Sequence, residues 1–173
     1  MTAHRVLRPA RRVLFSALAT AFAAAGVATV APSAATATAA TTTAASAFPA
    51  LSSDTYEQRV QRWINVRRSN HGLGKLRLQS CTDRVAEHWG SYLASNDAFF
   101  HQSMGTILNK CNAYYAGETL GRGSISPKRL VYLWMHSPEH RAILLSKYPR
   151  RVGIGAYPDR YGQWVVAADF TRF

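Results

Sequence analysis

Apolar residues at Tyr56, Val60, Trp63, Ile64 and Val66, with charges between them, predict an amphipathic helix from Asp54 that Gly72 and Gly74 end. A second stripe, Val85, Ala86, Trp89, Tyr92 and Leu93, predicts another helix, for which Ser80 and Asp83 have the spacing of a capping box. His88 lies off that stripe and is expected to be exposed. After Asn96-Asp97, a short helical segment around Thr106 to Asn109 leads to Cys111. Ala113 to Ala116 reads as a short strand ending at Gly117-Glu118-Thr119-Leu120-Gly121. Ser126-Pro127 and Ser137-Pro138 each supply an N-cap and a proline at the first helical position. The period then changes. Val152, Ile154 and Ala156 alternate, as do Trp164, Val166, Ala168 and Phe170, around Pro158-Asp159-Arg160-Tyr161-Gly162, which predicts a β-hairpin. Helices followed by a hairpin indicate an α+β domain with helices packed on a small antiparallel sheet.

The first 50 residues follow another pattern. Arg5, Arg8, Arg11 and Arg12 precede an uncharged, Ala-rich apolar run from Val13 to about Ala31, and Ala35-Thr36-Ala37 and Ala37-Thr38-Ala39 fit a small-residue cleavage site. We read residues 1–39 as a signal peptide, 40–50 as an Ala/Thr-rich linker and 51–173 as one folded domain. A retained membrane anchor competes with the signal peptide, but Ala and Thr rather than Leu and Ile fill the run. The expected product is secreted or associated with the cell wall, without a membrane span and monomeric. Arg11-Arg12 leaves Sec and twin-arginine export both open.

Export changes the meaning of charge and cysteine. Without the four leader arginines, the 21 basic residues fall to 17 against 9 acidic ones, a net charge of +8. Such charge suits an anionic cell-wall polymer. Nucleic acid is not expected, because the basic residues are scattered and match no nucleic-acid motif. Cys81 and Cys111 are the only cysteines, and in an exported chain they read first as a disulfide. Closing that loop stabilises a fold by ~3 kcal/mol in the chain-entropy model. A zinc site built on them is disfavoured, since no C-x-x-C spacing is present.

Ser137-Pro138 places Glu139 and His140 in the first turn of a helix, where the positive end of the dipole favours a carboxylate and a neutral imidazole. Taken locally, His140 is better explained by a structural role than by a functional one.

In order along the chain, these segments resemble the CAP superfamily (cysteine-rich secretory proteins, antigen 5 and pathogenesis-related proteins, also called the SCP domain). Asn65-x-x-Arg68 with Gly72-Leu73 and Leu76 is similar to the family's opening helix and turn. Phe100-His101-Gln102-Ser103 resembles its F-x-H segment, and Gly117-Glu118-Thr119-Leu120 its G-E-N motif. Trp134 with Ser137-Pro138-Glu139-His140-Arg141 resembles the bacterial W-x-x-S-P-G-H-R form. Val152-Gly153-Ile154-Gly155 and the run from Trp164 to Phe170 resemble its closing strands.

The resemblance implies an α-β-α sandwich with a cleft formed by His101, Glu118 and His140. Those three would hold a divalent metal, zinc first, or a small ligand, which the family's sterol and lipid binders extend to lipids. Three departures stand out. Thr119 replaces the Asn of G-E-N, and Ser137 stands where many eukaryotic members carry a second Glu. Glu139 replaces the usual Gly and is a candidate for the missing carboxylate. His136 is a further candidate, expected to face solvent.

With no evident nucleophile, an extracellular binding or effector role is favoured over catalysis. The alternatives are a hydrolase, with His101 or His140 activating water or a serine such as Ser103 or Ser137, and a cell-wall adhesion protein. No G-x-S-x-G elbow is present.

Overall fold

The computed structural model describes residues 51–173, so the leader and linker assignments lie outside the described residues. Helix α1 spans Ser53–Asn70; Ser52 caps it by accepting from the Thr55 N–H. Strand β1 (Arg77–Leu78) leads to α2 (Ser80–Ser95), α3 (Met104–Cys111) and strand β2 (Tyr115–Gly123). Helices α4 (Pro127–Met135) and α5 (Pro138–Leu144) follow, then the hairpin β3 (Arg151–Pro158) and β4 (Trp164–Arg172).

The sheet runs β1-β3-β4-β2, with β2 at one edge. β2, β4 and β3 are antiparallel neighbours, and β1 adds two residues parallel to β3, so the sheet is mixed rather than wholly antiparallel. Both faces are covered. Val166, Ala168 and Phe170 of β4 pack with Val152, Ile154 and Ala156 of β3 against Tyr56, Val60 and Ile64 of α1 and Leu130, Val131 and Trp134 of α4. The alternate residues Val165 and Ala167 meet Leu93 and Ala94 of α2 together with Leu120 of β2. This is the expected three-layer arrangement.

The Val-Gly-Ile-Gly run of β3 has a steric reason. Val152 and Ile154 fill one face, and Gly153 and Gly155 leave the other bare so that α2 can lie directly on the strand. A Cβ at Gly153 would come within 2.3 Å of the Asp83 backbone nitrogen, and one at Gly155 within 2.3 Å of the Ala86 carbonyl oxygen. The open edge of β3 beyond β1 is closed by side chains. The Ile154 N–H donates to Asp83 Oδ1 (3.0 Å) and the Ala156 N–H to Glu57 Oε1 (2.8 Å). Carboxylates that occupy strand donors also deny that edge to another chain.

That use of Asp83 overturns the expected capping box. Gln79, not Ser80, caps α2, its side chain accepting from the Thr82 N–H. Tyr92, placed on the buried stripe by periodicity, is 42% exposed, and His88 is exposed as expected. The Gly117–Gly121 segment does not end a strand: β2 continues through it, because its glycines admit neighbours from the helical layer. A Cβ at Gly121 would meet Leu130. The Cys81–Cys111 disulfide forms as expected, with a Cα–Cα distance of 5.6 Å, joining the start of α2 to the end of α3.

Candidate functional site

The site lies around the open edge of β2. On the α2 face, the loop before α3 is pinned where it leaves α2: Arg122 of β2 donates to Asp97 Oδ1 (3.0 Å) and to the Ala98 carbonyl (3.3 Å). A few residues on, the loop presents His101 and Gln102 to Glu118. On the other face, α5 packs Ile143 where a Cβ of Gly117 would stand (3.4 Å) and carries His140. A cavity of about 400 Å³ runs along this edge, lined by His101, Gln102, Met104, Tyr115, Glu118 and Ile143 among others.

His101 donates from Nδ1 to Glu118 Oε1 at 2.6 Å, with its own side chain 58% exposed and that of Glu118 fully buried. The Gln102 backbone N–H donates to the same oxygen (3.2 Å), and the Gln102 amide Nε2 donates to Glu118 Oε2 (3.1 Å). That amide nitrogen also donates to Asp169, at 3.3 Å from Oδ1 and 3.1 Å from Oδ2. Glu118 and Asp169 are register partners on β2 and β4, so one amide bridges two adjacent buried carboxyls.

Burial pushes the Glu118 carboxyl up, opposed by the hydrogen bonds from His101 and Gln102. Asp169 is pushed well above the usual carboxylate range, first by burial and then by the charge of Glu118, with only Gln102 opposing. Glu118, receiving three donors, is the better placed of the two to hold negative charge, and Asp169 to hold a proton.

His140 bonds Ser137 Oγ through Nδ1 at 2.8 Å. Burial first, and then the charge of His101, hold this imidazole below its ordinary pKa, while Glu139 opposes them. This agrees with the neutral ring expected at a helix start, but Ser137 acts differently from the expected cap. Its backbone occupies the N-cap position of α5 while its hydroxyl serves His140 instead of the helix N–H groups.

Of the residues read from sequence, the structure brings together His101 and Glu118 directly, and His140 within electrostatic reach of His101. Glu118 turns its two oxygens toward His101 and Gln102. Among the described residues, no group of three or more His, Cys, Asp or Glu side chains is disposed to hold a metal ion. Glu139 is exposed and reaches His140 only through its charge. His136 donates to the Tyr132 carbonyl (2.7 Å) and stacks on the Tyr132 ring, facing solvent as expected. Ser103 is exposed at the start of α3 and bonds neither histidine. Thr119 is fully buried with an unpartnered hydroxyl, and it alternates away from the face that holds Glu118.

Sequence reasoning misses Gln102 and Asp169. A signal for Asp169 exists: Val165 and Ala167 are apolar at positions that a one-faced strand would leave polar, so both faces of β4 are covered. Asp169 is then the one charge within that doubly buried run.

No helix among the described residues is long and apolar enough to cross a membrane. The chain is 28% identical over 111 residues to the uncharacterized protein YkwD of Bacillus subtilis (strain 168), covering 60% of this chain and 43% of that protein. It therefore spans less than half the length of that relative. An extracellular protein containing a SCP domain from Bacillus anthracis superposes with a TM-score of 0.60 at 24% identity, over 70% of this chain and 41% of that one. An outer surface protein of Borrelia burgdorferi gives a TM-score of 0.59 at 19% identity, over 66% of this chain and 90% of that one. Both likenesses establish the fold. The model of the CAP family, described as the cysteine-rich secretory protein family, matches residues 61–169, and the chain belongs to that family.

Proposed function

We propose that the protein is an exported, extracellular binding module whose cleft holds a divalent ion, zinc first, or a small polar ligand between His101 and His140. The observation that carries this reading is that both imidazoles are fixed through Nδ1, by Glu118 and by Ser137, which leaves both Nε2 atoms for a ligand. A histidine oriented through its second nitrogen by a carboxylate is the usual arrangement behind a metal ligand. Two imidazole nitrogens are the ligands this reading supplies. His101 and His140 would hold it, Glu118 would stand behind His101, and the remaining positions would go to solvent or ligand. Bound zinc would supply a Lewis acid there. The depressed pKa of His140 favours the same use, because a neutral imidazole binds metal without first losing a proton. Export rests on the leader, and the neighbours named as extracellular or outer-surface proteins are consistent with it.

Zinc calorimetry on the purified protein tests the reading. The wild type is expected to bind, and a His101→Ala, His140→Ala double variant to lose binding; equal binding by both would sink the metal claim.

The bond between Ser137 Oγ and His140 supports a second, hydrolytic reading. It is weaker, because a nucleophilic serine needs the base, a group orienting that base and donors for an oxyanion. Here the serine occupies the nitrogen that an orienting carboxylate would take. Turnover of peptide or peptidoglycan substrates that disappears in Ser137→Ala would favour hydrolysis. Equal rates in both proteins would remove it.

A further inference from the structure

A second cavity, of about 210 Å³, lies between the C-terminal half of α1 and the start of α4, lined by Arg67, Ser126, Lys128, Arg129 and Tyr132. We propose that it binds a phosphate group, either free or within a phosphodiester.

Three of its five lining residues are cationic and none is acidic. None of the three cations forms an ion pair among the described residues, whose ion pairs involve His101, Arg122 and Arg160. Two of the cations rest on aromatic rings instead: Lys128 Nζ is 4.9 Å from the Trp63 ring centre, and the Arg129 guanidinium is 4.8 Å from that of Tyr132. Cation–π seating holds these side chains without neutralising them.

Arg67 also lines the cavity, and its Nε is buried with no hydrogen-bond partner in the fold. No acidic residue lies in the first turn of α4 to offset the charges of Lys128 and Arg129.

A compact, multiply charged oxyanion suits a cavity lined by three unpaired cations, and a neutral ligand offsets none of those charges. Three sources share the chemistry: inorganic phosphate, a phosphodiester wall polymer and a phospholipid headgroup. The site is separate from the histidine cleft, so its fate does not depend on the metal reading. It gives the general attraction of a +8 domain for anionic polymers a specific address.

The test is calorimetric titration of the whole protein with inorganic phosphate, with polyphosphate as a phosphate-polymer probe and with phosphatidylglycerol vesicles, followed by NMR of the Arg67 Nε–Hε resonance. An Arg67→Gln, Arg129→Gln variant is expected to weaken binding by ~10-fold or more. Arg59→Gln, Arg84→Gln removes the same charge from exposed positions off the cavity and is expected to change it by about twofold at most. Lys128→Gln, at an exposed position, gives a second reading should the Arg67 variant fold poorly. The probe that binds and moves the Arg67 resonance names the source. Absence of binding by all three probes, or equal weakening in the off-cavity variant, would overturn the proposal.

Discussion

Glu118 and Asp169 stand opposite each other on neighbouring strands, both buried, with the single side-chain amide of Gln102 donating to each. Two adjacent carboxyls in one dry site cannot both ionise cheaply, and the hydrogen bonds decide which yields.

The first prediction follows from that division. The carboxyl of Asp169 is raised in the folded state, so between the ordinary aspartate range and its own raised value the folded protein holds a proton that the unfolded chain releases. By linkage, this group's contribution to stability falls as pH rises through that window. Asp169→Asn removes the titration and still accepts from Gln102. Denaturant midpoints measured from pH 4 upward should decline less steeply in the variant. Parallel curves would show that Asp169 ionises freely in the fold.

The network also marks where sequence reading stops. Element order, the two-sided layering and the contact of His101 with Glu118 were legible, because periodicity, Ser-Pro helix starts and family motifs are local signals. The meeting of Glu118 with Asp169 depends on strand register across 51 positions, which no local pattern encodes. Asp83 misled for a related reason: its spacing from Ser80 suited a cap, but the open edge of β3 claimed its carboxylate. Ser137 supplied a helix start in backbone and a histidine partner in side chain, and only the first use was legible from local spacing.

Gly155 should not tolerate even one added methyl group. A Cβ there would meet backbone atoms of Ala86 and Glu87 rather than a flexible side-chain end, so α2 must lift from β3. Gly155→Ala is expected to cost about 3 kcal/mol or more, at the upper end for overpacking. Urea denaturation at constant pH measures it. A loss under about 1 kcal/mol would mean that the helix-to-strand contact is looser than described.

Glu57 is the carboxylate on the open edge of β3 that should govern behaviour near neutral pH. Burial first, and then Glu87, Asp83 and Asp54, raise it to about 7, opposed by its bond from the Ala156 N–H. The folded state therefore keeps its proton longer than the unfolded chain, and this contribution to stability falls between pH 4.5 and about 7. Glu57→Gln preserves an acceptor for Ala156 and removes the charge. The variant should be the more stable protein above pH 7, with the advantage shrinking as pH falls. An advantage that does not change with pH would assign the effect to packing.

Arg68 ties the framework to the site. It is fully buried, and no carboxylate faces it. Its charge is met by carbonyl oxygens, with Nε donating to Gly74 (2.9 Å) and Nη1 to both Leu144 and Ser146 (2.8 Å each). Leu144 is the last residue of α5, the helix that carries His140, so one guanidinium joins the end of α1 to the end of the site helix. Lysine carries its three donors on one nitrogen and cannot occupy both the Nε and the Nη1 positions from which these carbonyls are met. Arg68→Lys is expected to lower stability by about 2–4 kcal/mol through unsatisfied buried groups. It should also loosen α5, letting water reach His140 and moving its pKa up toward the ordinary value of 6.5, from which burial now lowers it. Denaturant unfolding measures the first effect, and NMR titration of the His140 ring the second. Reduced stability with an unmoved His140 titration would confine Arg68 to the scaffold. A shift in His140 alongside it would establish that the far end of α5 controls the imidazole at its start.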